Sequence, residues 1–278
     1  PMDLKSAVIQ PRLKKCGLDA ENPANFRPIS NLPFVSKVIE RIVSSRVAAH
    51  METHNLHEAL QSAYKPGHST ETALLKVKND VLKAMQQKQG VLMVLLDLSA
   101  AFDTVCHSRL LAVLENRIGL KGIALRWFQS YLSGRTQTVA LGDTSAAATV
   151  LDRGVPQGSV SGPLLFSVYT LALGDIIRRH GLDAHFYADD SQLYASFQST
   201  PDRSCEVTAK MEKCIADIKK WMSANYLHLN DSKTEVVCFA TPRSGVDPAL
   251  CHVHVGSASI APSPSVKDLG VTLDQHMS

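Results

Sequence analysis

A chain of 278 residues that is 45% hydrophobic and 20% charged can bury one large core or two small ones, and its composition is not that of a disordered segment. Its longest unbroken aliphatic run, Val91–Leu96, is too short to cross a bilayer; its six cysteines form no CxxC pair and are far too sparse for a disulfide scaffold, which points to free thiols in a reducing compartment. The net charge of +3 conceals a split: residues 1–139 hold 18 Lys and Arg against 11 Asp and Glu (+7), and residues 140–278 hold 11 against 15 (−4). A basic half joined to an acidic one suits a polyanion held in one region and processed in the other, although ordinary surface variation also produces such a split. Beginning at Pro1 with no charged-then-apolar leader, the chain reads as a piece of a longer open reading frame.

Residues 1–33, rich in Pro, Lys, Arg and Asn and without a sustained period, read as an irregular lead-in. From Val35 the apolar positions Val38, Ile39, Ile42, Val43 and Val47 recur at helical spacing. A second helix is predicted from Ser69 or Thr70, either of which can cap it, with Gly90 beyond its end and Leu74, Val77, Val81 and Met85 along one face. Val91–Leu96 is apolar on both faces and predicts a strand central in its sheet. Helices follow over Arg109–Ile118 and Ile123–Leu132, closed by Gly119 and Gly134, then a short strand over Thr136–Leu141. Beyond the glycine-rich Gly154–Gly162, the stretch Leu164–Ile177 predicts a helix. Ala184–Tyr187 and Gln192–Phe197 predict a hairpin joined at Ala188–Ser191. Val207, Met211, Cys214, Ile218 and Trp221 mark a further helix, Glu235–Phe239 a strand, and residues 241–265 a loop region with room for a short strand at His252–Val255. Helices and strands mix without strict βαβ alternation, so the predicted class is α+β with antiparallel pairs.

The chemistry lies in where the aspartates fall. Asp97 sits just past the C-terminal end of the most apolar strand, and Asp189 and Asp190 sit at the hairpin tip. If those elements are neighbours in one sheet, three carboxylates converge at one edge, more charge than a fold holds without cations. Oxygen ligands with room for water and phosphate favour Mg²⁺, and a pair of such ions can clamp an in-line phosphoryl displacement. Among 17 aspartates an Asp-Asp pair arises about once by chance, and alone it would pass as a solvated turn. Requiring Phe or Tyr two positions earlier lowers that expectation to about 0.05.

Other residues gain weight only beside these. Phe102, five residues after Asp97, could wall a sugar pocket or simply pack in a core. Gly154-Val-Pro-Gln-Gly-Ser159 offers exposed backbone and an amide for close approach to a nucleotide, or is a flexible turn. Lys233, just before a strand, is placed to meet an anion. His50, His54 and His57 share a helical face but have no placed cysteine or carboxylate partner, and Cys251-His-Val-His254 is short, so neither predicts a zinc site. Trp127, Phe128 and Tyr131 read as core rather than a base-stacking platform.

Seven segments occur in an order that resembles the reverse transcriptase domain of non-LTR (LINE-type) retrotransposons, of Jockey-like or chicken-repeat-like flavour. They are Asn25-Phe-Arg-Pro-Ile-Ser30, Gln61-Ser-Ala-Tyr-Lys-Pro-Gly-His-Ser-Thr70, Leu96-Asp-Leu-Ser-Ala-Ala-Phe-Asp103, Gly154-Val-Pro-Gln-Gly-Ser159, Tyr187-Ala-Asp-Asp190, Leu229-Asn-Asp-Ser-Lys-Thr-Glu235 and Val266-Lys-Asp-Leu-Gly270, and they cover roughly residues 11–273.

The resemblance implies a right-hand polymerase with fingers roughly over 1–90 and 110–150, palm over 91–109 and 151–240, a primer-grip region over 250–278, and a thumb largely absent. Asp97, Asp189 and Asp190 would be the palm aspartates, with Asp97 and Asp189 the principal ligands of two Mg²⁺ ions (Mn²⁺ a substitute) and the Leu98 carbonyl an extra ligand. Phe102 would be the steric gate against a ribose 2′-hydroxyl, Gln157 and Gly158 would touch template–primer and incoming nucleotide, and Lys233 would protonate the leaving pyrophosphate. Arg27 and Lys65 would lie near the triphosphate, and Leu269 and Gly270 in the primer-grip hairpin. The implied partners are an RNA template, a DNA primer and deoxynucleoside triphosphates, with no membrane, an endonuclease region elsewhere in the parent polyprotein, and action in the nucleus.

Three positions depart from the family pattern. Lys65 stands where Arg is usual, losing a bidentate fork; Ser161 replaces a Leu, whose polarity would loosen the following helix; and Cys106 precedes His107 where Asp is usual. An RNA-directed RNA polymerase is disfavoured by the bulk of Phe102. A catalytically inert remnant that at most binds nucleic acid is the contrasting reading, which intact Asp97, Asp189, Asp190 and Lys233 oppose.

Overall fold

A computed structural model describes residues 1–99, 101–242 and 244–277. Ala100, within the Asp97–Asp103 segment, and Ser278, the end of the 250–278 region, lie outside the described residues. The chain opens with two antiparallel strands, β1 (Ser6–Leu13) and β2 (Phe26–Asn31), where an irregular lead-in is predicted. Prolines hide the strand alternation in the sequence, and the pairing sets Pro11 directly opposite Pro28, so two missing N–H groups fall at one rung.

Helix α1 (Phe34–Thr53) forms where its periodicity predicts, but the N-terminal part of its apolar stripe does not face inward. Phe34, Val35, Val38, Ile39 and Ile42 are exposed, while Ser36 and Glu40 are buried beside Val47 and Met51. Glu40 explains the inversion. Its Oε2 accepts from the backbone N–H of Val160 (2.9 Å) and Ser161 (3.0 Å) and from the Tyr131 hydroxyl (3.2 Å), and its Oε1 accepts from Ser36 Oγ (3.1 Å). Leaving those buried donors unmatched would cost more than exposing a few aliphatic side chains gains in water.

Helix α2 (Thr70–Gln86) starts as its sequence requires, with Ser69 and Thr72 capping each other reciprocally, and it buries Ala73, Val77, Val81, Ala84 and Met85. Next come β3 (Gln89–Leu96), β4 (Leu98–Ser99), α3 (His107–Asn116), α4 (Gly122–Leu132), β5 (Arg135–Leu141), β6 (Thr144–Ser145) and β7 (Thr149–Leu151). The single helix predicted over Leu164–Ile177 is two, α5 (Gly162–Tyr169) and α6 (Leu171–Arg179), divided at Thr170. The hairpin of β8 (Asp183–Tyr187) and β9 (Asp190–Gln198) is tighter than predicted, because Tyr187 pairs with Asp190 and only Ala188 and Asp189 turn. The rest is α7 (Pro201–Ala224), β10 (His228–Leu229), β11 (Glu235–Phe239), β12 (Val253–Val255), β13 (Ala258–Ile260), β14 (Ser265–Asp268) and β15 (Val271–Asp274). Among the described residues no helix is long and apolar enough to cross a membrane.

The chain divides into two compact units. Unit 1 (Pro1–His57 and Phe102–Thr170) contains a sheet of order β2-β1-β5-β6, with β7 also on β5, and helices α1, α3, α4 and α5. Unit 2 (Glu58–Ala101 and Leu171–Ser278) is built on an antiparallel sheet of order β11-β3-β9-β8. Its central strand β3 buries Val91, Leu92, Met93 and Val94 in succession, as a strand covered on both faces must. One face packs against Val77, Val81 and Met85 of α2, together with Tyr194, Val237, Phe239 and Val266. Phe239 is fully buried there, and Phe239→Ala is expected to destabilise unit 2 by about 3–5 kcal/mol, seen as a lower urea midpoint with an unchanged m-value.

Candidate active site

Sheet register brings the predicted carboxylates together. β3 and β9 pair antiparallel to the last rung, Leu96 opposite Ser191, so the next residues outward are Asp97 and Asp190. Asp189 precedes Asp190 in the two-residue turn, where Ala188 has φ 57°, a left-handed conformation that costs a non-glycine residue energy. Asp97 is fixed on its other side: its carbonyl accepts from Asn230 N–H (2.9 Å), and Leu98 pairs with Leu229. The short turn Asp231–Lys233 that follows is held by Lys219 Nζ on Asp231 Oδ2 (2.6 Å), and it delivers Lys233 Nζ to 3.2 Å from Asp97 Oδ2.

The electrostatics match this crowding. The protein packed around Asp190, then the charges of Asp189, Asp97 and Asp268, push its carboxyl up to about 6, although one edge stays open to solvent, and Lys233 acts in the opposite sense. Among the described residues no three His, Cys, Asp or Glu side chains are set to enclose a metal ion. The donor set still fits a hard divalent cation, which would relieve the mutual repulsion of these oxygens. Mg²⁺ takes one or two protein carboxylates and fills its shell with water and phosphate, so it requires no closed protein cage.

Elsewhere in unit 2, Lys65 donates from Nζ to the Glu58 carbonyl (2.8 Å). Leu269 and Gly270 form the turn between β14 and β15, both at positive φ (45° and 90°); such two-residue hairpins favour glycine or asparagine, so a leucine there carries strain. Asp268, inside the Val266–Gly270 segment but given no role from sequence, is buried and accepts from Gln192 Nε2 (2.6 Å), while its Oδ2 and Gln192 Oε1 have no hydrogen-bond partner. The β14–β15 hairpin is thereby tied to the strand that begins at Asp190.

Unit 1 holds the remaining predicted residues. Arg27 is exposed on β2 directly opposite Arg12, an unfavourable like-charge pair unless an anion bridges it. The same strand reaches Gln157, whose carbonyl accepts from Ser30 N–H (2.7 Å). Gly158 has φ 108°, and a Cβ on it would lie 2.7 Å from the Ser30 carbonyl oxygen, so only glycine fits. Gln157 Nε2 donates to Asp103 Oδ2 (3.3 Å). Phe102 stacks on Phe166 (centroids 4.8 Å, 22°) and its carbonyl accepts from Val155 N–H (2.8 Å). Ser161 does not loosen its helix: it is buried, its hydroxyl shares a hydrogen bond with Ser44 Oγ (2.9 Å), and α5 begins at the next residue. Phe128 and Tyr131 are core residues, with Trp127 stacked on Tyr131. His50 and His54 each bond a backbone carbonyl.

Buried ionisable groups in unit 2 make stability depend on pH in opposite senses. Burial pushes Asp268 up to about 6, so the folded state holds its proton more tightly than the unfolded state does, and stability falls as pH rises from about 4 to about 6. Burial holds His185 near 4, and that contribution rises with pH between about 4 and 6.5. Asp268→Asn isolates the first effect. Above pH 6 the variant is expected to be more stable than wild type by on the order of 2 kcal/mol, and the difference should vanish near pH 4 in urea titrations across that range.

Comparison with known proteins identifies the family. The family model described as "Reverse transcriptase (RNA-dependent DNA polymerase)" matches residues 13–273. The "Probable RNA-directed DNA polymerase from transposon BS" of Drosophila melanogaster is 28% identical over 285 residues, covering 100% of this chain and 30% of the relative. The "RNA-directed DNA polymerase from mobile element jockey" of the same species is 27% identical, again over 100% of this chain and 30% of the relative. The chain therefore spans about a third of the length of these relatives. Among solved structures, the apo telomerase of Candida tropicalis truncated from its C-terminal domain superposes with a TM-score of 0.64 at 11% identity, over 99% of this chain and 54% of that one. That likeness concerns the fold, the fingers and palm of a right-hand polymerase with helices on antiparallel sheet. With the family model running almost end to end and the carboxylates gathered by the sheet that the family's motifs span, the chain belongs to the reverse transcriptase (RNA-dependent DNA polymerase) family.

Proposed function

We propose that this chain is the polymerase portion of a non-LTR retrotransposon protein and extends a DNA primer on an RNA template with deoxynucleoside triphosphates, acting in the nucleus. The observation that carries the reading is the β3–β9 register, which sets Asp97 beside Asp190 with Lys233 Nζ at 3.2 Å from Asp97. Asp97 and Asp189, with Asp190 and the Leu98 carbonyl, would hold two Mg²⁺ ions. When bound, these supply Lewis acidity that makes the primer 3′-hydroxyl a better nucleophile and neutralises charge on the transferred phosphate.

The chain's own residues then do the rest. Lys233 holds a proton at the rim of the carboxylates and hands it to the pyrophosphate oxygen as the α-phosphate bond breaks. Arg27, beside Arg12, and Lys65 offer fixed positive charge to the triphosphate. Phe102, held by its stack on Phe166, presents a rigid wall to the ribose 2′ position. Gln157 and Gly158 would offer backbone and amide to the nucleotide and template–primer, and Leu269 and Gly270 would grip the primer. In this reading fingers, palm and primer grip follow the boundaries that the family resemblance implies.

Primer extension on an annealed RNA template with Mg²⁺ tests the proposal. A deoxynucleotide-dependent ladder is expected, lost by roughly 1,000-fold or more in Asp189→Asn and slowed by roughly 100-fold in Lys233→Ala. Phe102→Ala is expected to admit ribonucleotides that the wild type rejects. Equal activity of Asp189→Asn and wild type would sink the assignment.

A further inference from the structure

We propose that Gln61 is a positioning residue that fixes the turn carrying Asp189. Gln61 is buried (6% exposed). Its side-chain amide spans the backbone of Ala188 from both sides, since Oε1 accepts from Ala188 N–H (3.1 Å) and Nε2 donates to the Ala188 carbonyl (3.4 Å). The same Oε1 accepts from Ala63 N–H (2.9 Å), which stops the amide from rotating away. Backbone bonds continue the contact: Phe186 N–H donates to the Leu60 carbonyl and Ser62 N–H to the Phe186 carbonyl, both at 2.9 Å.

Ala188 is the residue in need of such a hold, because its φ of 57° is one that an alanine leaves when nothing opposes it. Relaxing it would swing the following peptide and move the Asp189 carboxylate. Apart from the Ala63 N–H that anchors Oε1, this amide directs both of its polar ends to the one strained residue next to the aspartates, bonding the peptide on either side of it. The inference deepens the polymerase reading and rests on it for the role of Asp189, while the clamp itself can be measured without catalysis.

Gln61→Met keeps the length of the side chain and removes both bonds to Ala188 together with the bond from Ala63 N–H. In the full chain, amide exchange at Ala188 is expected to accelerate, and affinity for Mn²⁺ alone, by calorimetry, to weaken by about threefold or more. In primer extension kcat is expected to fall roughly tenfold with KM for deoxynucleotide within about twofold. Adding Ala188→Gly should restore part of the Mn²⁺ affinity and kcat, because glycine adopts positive φ without strain. Val81→Ala, a core change in α2, serves as the control for lost stability alone and should move neither kcat nor Mn²⁺ affinity. The proposal is overturned by unchanged exchange at Ala188, by a kcat loss that Val81→Ala reproduces, or by no recovery with Ala188→Gly. A wild-type chain that extends no primer would count against the polymerase reading alone. The clamp is then decided by exchange and Mn²⁺ affinity, where unchanged values in Gln61→Met overturn it and the expected losses with glycine rescue uphold it.

Discussion

Everything chemical in unit 2 hangs on the pairing register between β3 and β9. Side chains alternate faces along a strand, so a slip of one residue would take Asp97 away from Asp190 and turn the buried residues of both strands to the wrong side. The register is held by apolar burial rather than by the carboxylates, which repel one another. Four successive fully buried residues of β3 each contribute about 1.5–3 kcal/mol, whereas like charges at a wet sheet edge oppose each other by about 1 kcal/mol per pair. The core therefore prevails, and it can hold negative charge together where a less apolar strand could not.

Strain and unmatched polar atoms gather around that same edge. Ala188 and Leu269 hold left-handed conformations, and Asp268 Oδ2, Gln192 Oε1 and His185 Nδ1 are buried without hydrogen-bond partners. Each costs folding energy, and such costs concentrate where geometry serves something other than stability. The Asp268–Gln192 bond also makes the β14–β15 hairpin and the start of β9 one mechanical piece, so that the hairpin turn and the carboxylate turn cannot move independently.

Unit 1 is organised by a different buried carboxylate. Glu40 collects two backbone amides ahead of α5 together with two hydroxyls, and so holds the segment that follows Gln157 and Gly158. To do this α1 turns its polar side inward and leaves Phe34, Val35, Val38, Ile39 and Ile42 in water. Periodicity reports which residues share a face; it does not report which face is buried when a single side chain carries four hydrogen bonds.

Local physics wrote most of the elements and the carboxylates into the sequence. The unbroken apolar run of β3, the Ser69 cap of α2 and the alternation of β8 and β9 are short-range patterns, and so are the aspartates at strand ends and the tyrosine before the Asp-Asp pair. From them alone follow a central strand, an antiparallel hairpin and carboxylates at the strand ends; that Asp97 meets Asp190 follows only once β3 and β9 pair. What only the tertiary structure decided are the bonds between distant segments: Gln61 on Ala188, 127 residues apart, Asp268 on Gln192, 76 apart, and Glu40 on Ser161, 121 apart. It also decided the strand pair of β1 and β2, masked by prolines, and the break at Thr170 that divides one apolar stretch into two helices. A hydrogen bond between two polar side chains or backbones far apart leaves no period in either segment, so it exists as information only once burial has removed the water that would otherwise satisfy each partner separately.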